Sequence, residues 1–195
     1  MTEVKGAWGR VVWLPTFDSE NQVRYDHAKR PFAPVSRDGK LLPEVNQVIS
    51  IVSKNNLTLE TGHVSAEEGL MVIRAAKAAG VSRIVVTHAM NPPIRMSIEQ
   101  MKQAAAIGAY IEFVYGALIA PGGRKGQFEL PEFAAAIRAV GPEHCILSTD
   151  LGQAGNPLHP DGLEAFFRGL RSQGFSAEEI GRMSKTNPAR LLGLE

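Results

Sequence analysis

The sequence predicts an α/β fold built on a parallel sheet, and three observations predict it. Five short apolar runs rich in β-branched residues alternate with longer segments of helical period. The runs are nearly continuous in apolar character, as strands covered by helices are. Polar residues with chemistry to offer fall at one place, directly after the runs, which in a parallel sheet is the edge where ligands bind. An open doubly wound sheet and a segment of a closed barrel both satisfy this alternation. Period alone does not choose.

The elements follow in order. Gly9 to Pro15 (GRVVWLP) reads as a buried strand that its proline ends. Thr16 to Asp38 is polar and too long for an ordinary loop, the profile of a lid or an unstructured segment. The next segment places Val45, Val48, Ile49 and Val52 at helical spacing, with Pro43 suited to a first turn. Leu57 to Gly62 is the second strand, ending at His63. Ser65 and Glu68 have capping-box spacing and open a helix through Leu70, Ile73 and Ala76 that stops at Gly80. Arg83 to Thr87 is the third strand, leading into His88. Ser97 and Gln100 cap the next helix, which Gly108 ends. Tyr110 to Tyr115 is the fourth strand and runs into the loop ALIAPGGRKGQ. A helix over Pro131 to Val140 stops at Gly141-Pro142, and Cys145 to Thr149 is the fifth strand, leading into Asp150. Helices then follow over Asp161 to Gln173, over Ser176 to Met183, and from Asn187-Pro188 onward.

Composition narrows the function classes. The chain has 195 residues, 44% hydrophobic and 21% charged, which suits one globular domain over 1–195. Lys and Arg number 21 against 20 acidic residues, so no basic surplus points to nucleic acid. No apolar run approaches the ~20 residues that cross a bilayer, and MTEVKGAWGR lacks the apolar core of a signal peptide. The single cysteine, Cys145, has no internal disulfide partner, which fits a cytoplasmic protein.

His63, His88 and Asp150 carry the chemistry. Two imidazoles and a carboxylate on one edge match the donor set of a zinc or similar divalent site, which keeps a position open for water. Each alone also has a plain reading: a histidine after a strand can be a hydrogen-bonded loop residue, and an aspartate there can cap a turn. Glu112, inside an apolar strand, is costly unless paired or liganding, so it either faces the site or forms a salt bridge. Thr16 and Asp18 end the first strand and reach the same edge or serve a turn. His159 lines the mouth or sits in a solvated loop, His27 belongs to the long polar stretch, and His144 lies at the opposite end of its strand. Cys145 reads as core. PGGRKG is glycine-rich and basic but lacks the spacing of a phosphate-binding loop.

The order TGHVS, VVTHA and STDLG, closed by TNPARLLGL, resembles the amidohydrolase superfamily of metal-dependent hydrolases, and within it uncharacterised bacterial amidohydrolase-like proteins. The resemblance covers nearly the whole chain through short motifs. It implies a (β/α)8 barrel with metal at the C-terminal ends of the strands. His63 would then be the strand-five ligand and His88 the strand-six ligand. Asp150 on strand eight would bind metal or its water and shuttle the proton. Glu112, Asp18 and His159 would stand behind them or face substrate. The implied cofactor is a divalent ion, zinc first and manganese or iron as alternatives. The implied reaction is hydrolysis of a C–N, C–O or related bond in a small molecule, with decarboxylation a close variant. The chain has no His-x-His, no counterpart of strands one to three, and no bridging lysine or glutamate after Gly9–Pro15, where Asp18 is the nearest acid. It therefore corresponds to strands four to eight, the C-terminal portion of a barrel. At 195 residues it is three βα units of ~30 residues short of a typical barrel of ~250. Such a piece exposes two sheet edges, which a second copy or a missing N-terminal segment would cover. The alternative is a partial barrel without catalysis.

Overall fold

Two valines and a tryptophan start the sheet. In the computed structural model, which describes residues 9–120 and 124–194, β1 (Val11–Trp13) lies parallel to β2 (Thr58–Glu60), with Trp13 opposite Glu60. β3 (Arg83–Val86), β4 (Tyr110–Val114) and β5 (Cys145–Ser148) follow, every pair parallel, in the spatial order β1-β2-β3-β4-β5. This order decides between the two architectures. A doubly wound sheet reverses its strand order at the switch point. Here each strand adds to the same side of the last, so right-handed crossovers put the intervening helices on one face. That is how a barrel is wound.

The crossovers are α2 (Pro43–Lys54), α3 (Ala66–Ala78), α4 (Ile98–Ile107) and α5 (Leu130–Val140), with α6 (His159–Ser172) after β5. Neighbours pack in sequence, α2 on α3, α3 on α4, α4 on α5 and α5 on α6. The serine caps work as their spacing predicts: Ser65 with Glu68 and Ser97 with Gln100 each form a reciprocal pair, which satisfies backbone donors that a helix start leaves open. Alternation along the strands sends Leu59, Ile84, Val86, Ile111, Phe113 and Leu147 into the main core beneath these helices.

The other face of the sheet is divided. Near the strand starts, Val85, Tyr110 and Ile146 form a small cluster with Leu191 of the last helix, α8 (Asn187–Leu192). A five-residue helix, α7 (Ala177–Gly181), and a π-helical turn over Arg182–Thr186 deliver α8 to this place. Asn187 donates to the carbonyls of Pro142 and Cys145, at 3.0 and 2.7 Å, and Thr58 Oγ1 donates to the Leu191 carbonyl. Toward the strand ends the same face carries Glu60, Glu112 and Ser148 and is open. Helices therefore cover one face fully and the other only in its lower half.

The long polar segment is folded rather than loose. It holds a short helix, α1 (Glu20–Tyr25), capped by Ser19, and a two-stranded ribbon of Ser36–Arg37 with Lys40–Leu41. Val23 and Val35 are buried, and the Ala33 amide donates to the Asp18 carbonyl at 2.7 Å, so the segment lies over the ends of β1 and β2 as a flap. The loop after β4 likewise holds a 3-10 turn, Tyr115–Leu118, and a ribbon of Ile119–Ala120 with Arg124–Lys125. Part of PGGRKG and the first eight residues lie outside the described residues.

Candidate functional site

His63 is placed by the close approach of two strand ends. Gly62 has φ +63°, and a Cβ there would lie 2.4 Å from the Leu14 carbonyl oxygen and 2.5 Å from that of Pro15, so glycine is required. The Gly62 amide donates to Thr87 Oγ1 at 3.0 Å, and the His63 amide to the Pro15 carbonyl at 3.0 Å. From the flap, Ser19 and Asn21 donate to the His63 carbonyl at 3.0 and 3.1 Å. The half-buried imidazole meets Gln22 Oε1 with Nδ1 at 2.7 Å and the edge of Phe17, 5.4 Å between centroids. Gln22 gives its amide hydrogens to Asp26, 2.8 Å away, which leaves its oxygen to accept from Nδ1–H. His63 Nε2 is then the bare nitrogen. Burial, followed by the neighbouring His88 and partly opposed by Asp26, brings its pKa down to about 4, so the ring is neutral at pH 7.

His88 Nε2 lies 3.1 Å from His63 Nε2, the rings at 61°. Its backbone is in the left-handed region, φ +23°, which a non-glycine residue adopts only when its surroundings impose it. Glu112 does the imposing: one carboxylate oxygen accepts the His88 amide at 2.9 Å and the other accepts Ser148 Oγ at 2.7 Å. His88 Nδ1 is buried and has no hydrogen-bond partner.

A cavity of about 670 Å³ opens at the strand ends, and His63, His88, Glu60, Glu112, Ser148 and Asp150 are all on its wall. Asp150 is exposed, with φ +48°. Behind it, Thr149 Oγ1 and His159 Nδ1 are 2.6 Å apart, and His159 is not on the cavity wall. Asp18 is also off the wall; it is exposed, and its backbone carbonyl holds the flap. Cys145 is buried, burial pushes its thiol well up from the usual range, and it is no nucleophile.

Glu60 and Gln22 are absent from the sequence-level site. Glu60 accepts from Thr87 Oγ1 at 3.2 Å and from the Trp13 side chain, yet burial and the charge of Glu112 push its pKa up to about 8. The rule that singled out Glu112, an acid inside an apolar strand, applies equally to Glu60 in LTLETG. Gln22 had no such signal, because its role depends on how the flap folds.

Whether these donors suit a metal can be judged from geometry. Two nitrogens at the usual zinc distance of ~2.05 Å in tetrahedral geometry stand roughly 3.3 Å apart. The Nε2 pair is close to that, His63 is neutral, and its Nδ1–H is fixed by an acceptor, as metal-bound imidazoles require. The pair fits. Among the described residues, no group of three His, Cys, Asp or Glu side chains is within reach of one ion.

A model described as a family of unknown function, DUF6282, matches residues 2–112. The chain belongs to that family. The DUF6282 match contains Glu60, His63, His88 and Glu112 and ends before Asp150 and His159. No curated protein matches the chain. Among solved structures it is similar to an organophosphorus hydrolase from Deinococcus radiodurans, 18% identical with TM-score 0.61, covering 91% of this chain and 60% of that one. It is similar to a PTE-like lactonase mutant from Deinococcus radiodurans at 17%, TM-score 0.59, covering 91% and 62%. An amidohydrolase from Pseudomonas aeruginosa follows at 15%, TM-score 0.63, covering 94% and 63%. The chain spans less than two thirds of the length of each. These likenesses show the fold: a parallel five-stranded portion of a (β/α)8 barrel. Among the described residues, no helix is long and apolar enough to cross a membrane.

Proposed function

We propose that the cavity is the reaction site of a metal-dependent hydrolase acting on a C–N, C–O or related bond of a small molecule. The observation that carries this reading is the opposed imidazole pair, Nε2 to Nε2 at 3.1 Å, on the wall of a cavity at the C-terminal edge of a barrel sheet. His63 and His88 would hold a divalent ion, zinc first and manganese or iron as alternatives, with Asp150 as the third ligand. When bound, such an ion lowers the pKa of water toward ~7 and polarises the bond under attack.

The chain's own residues supply the rest. Gln22 fixes the His63 tautomer, and Glu112, braced by Ser148, fixes the His88 backbone. The Asp150 carboxylate takes the proton from the attacking water and returns it to the leaving group. Glu60 keeps its proton to about pH 8, which limits the negative charge beneath the imidazoles. His159 and Asp18 stand behind this group. The same reading takes 1–195 as a single partial-barrel domain of a cytoplasmic protein. Its open strand edges would be covered by a second copy or by further N-terminal strands.

A second reading, a partial barrel without catalysis, draws on the lack of a three-donor group among the described residues. Metal content separates the two. After loading with zinc, manganese or iron and dialysis, elemental analysis should find about one equivalent in the wild type and about a tenth or less in His63→Ala and His88→Ala. Less than about a tenth of an equivalent in the wild type would remove the enzyme reading.

A further inference from the structure

A second cavity of about 640 Å³ adjoins the first as a second arm, and Tyr25, Pro92 and Gln127 are on the walls of both. The two arms differ in charge. Glu60, Glu112 and Asp150 are on the wall of the first, which has no Lys or Arg among its described residues. Arg95 is the one Lys or Arg on the described wall of the second, where the apolar side chains of Met90, Met96 and Phe128 accompany it. From these observations we propose that the second arm binds the carboxylate end of an elongated substrate, with Arg95 as the specificity-determining residue. The proposal rests on the reading of the first arm as the reaction site.

Arg95 is held for this purpose at some cost. Its φ is +48°, a left-handed conformation that disfavours any residue with a Cβ. Its amide donates to the Asn91 carbonyl at 3.0 Å, and the next amide, of Met96, donates to Ala89 at 2.9 Å, so the turn after His88 fixes its position. The guanidinium lies 5.5 Å from the centre of the Tyr25 ring and has no carboxylate partner among the described residues. Stacking on an aromatic ring leaves the N–H fork free to engage an anion in the plane.

One guanidinium offers a single positive charge and a planar fork, which matches a carboxylate in charge and shape; a phosphate dianion calls for more donors. At the nearest helix start, that of α4, the Ser97 and Gln100 side chains already accept from each other's amides, which takes two of its donors. Between the two ends the wall is uncharged, with Tyr25, Pro92 and Gln127 shared and Met90, Met96 and Phe128 beyond them. A ligand with a carboxylate, an apolar body and its reacting bond at the far end would therefore lie with the bond at His63 and His88. In the protein without a bound ion, Glu112 and Asp150 repel a carboxylate from the first arm, so the acid seats at Arg95.

Calorimetric titration with 4-phenylbutyrate and its neutral analogue 4-phenylbutan-1-ol tests this through binding alone, independently of turnover. The wild type should bind the acid about tenfold more tightly than the alcohol. Arg95→Gly, which suits a positive φ, should bring the acid to within about twofold of the alcohol and leave alcohol binding unchanged. Arg95→Lys should keep a preference of about threefold. The double variant His63→Ala/His88→Ala should keep the full preference, which separates Arg95 from a carboxylate bound at the imidazoles. Equal binding of the two compounds by the wild type, binding of neither, a preference that survives in Arg95→Gly, or one lost with the histidines would each overturn the proposal.

Discussion

The two halves of the sheet face opposite α2–α6 are two residues apart along the strands and differ in every physical respect. Tyr110 and Ile146 are buried beneath Leu191; Glu112 and Ser148, the next residues on that face of β4 and β5, are half-buried and border a cavity. The lower half is an apolar seal, with the Arg83 guanidinium at its margin donating to the Asn56 carbonyl. The upper half spends its hydrogen bonds on holding an imidazole and a strained backbone. The contrast teaches that α8 divides this face of the sheet: it covers the part that has no chemistry and leaves open the part that does.

The largest expected effect lies in the seal. Leu191 is 4% exposed, and truncating a buried leucine removes transfer energy and leaves a cavity. Leu191→Ala should lower unfolding stability by about 3 kcal/mol in urea titrations while leaving zinc uptake by the folded protein unchanged. A loss below about 0.5 kcal/mol would mean that α8 does not seal the sheet.

In the open half the corresponding change should stabilise. Glu60 releases its proton near 4.5 when unfolded but near 8 when folded, so the native state is the better proton binder between those values. Stability therefore falls as pH rises from about 4.5 to about 8 and levels off above. Glu60→Gln cannot ionise. It should match the wild type near pH 4.5 and exceed it at pH 9 by on the order of 2 kcal/mol, cavity water screening part of the full shift. A difference that does not change with pH would show that Glu60 is ionised throughout.

The same contrast explains how much was legible in the sequence. Strand–helix alternation and the serine caps are local, and the structure has them where their spacing put them. The placement of His63 and His88 at one edge follows from strand polarity alone. The winding direction is not local: it needs the spatial order of strands, which no period carries. Gln22 was illegible for a similar reason, since it reaches His63 across 41 positions through the fold of a polar flap. Glu60 was legible and passed over, although it obeys the rule that exposed Glu112.

The smallest effects separate the halves most sharply, because two substitutions in one strand should cost the same and act differently. Ser148→Ala removes the 2.7 Å hydrogen bond to Glu112, and Ile146→Val removes one methylene from the cluster under Leu191. Each should cost about 1 kcal/mol, the first as a lost hydrogen bond to an acidic side chain and the second as lost burial and packing. Glu112 also accepts the His88 amide, so loosening the carboxylate should speed hydrogen exchange at that amide by severalfold. Ile146→Val should leave exchange at His88 unchanged at matched global stability. Equal exchange in the two variants would mean that Ser148 does not brace Glu112, and that the His88 backbone is held by its turn alone.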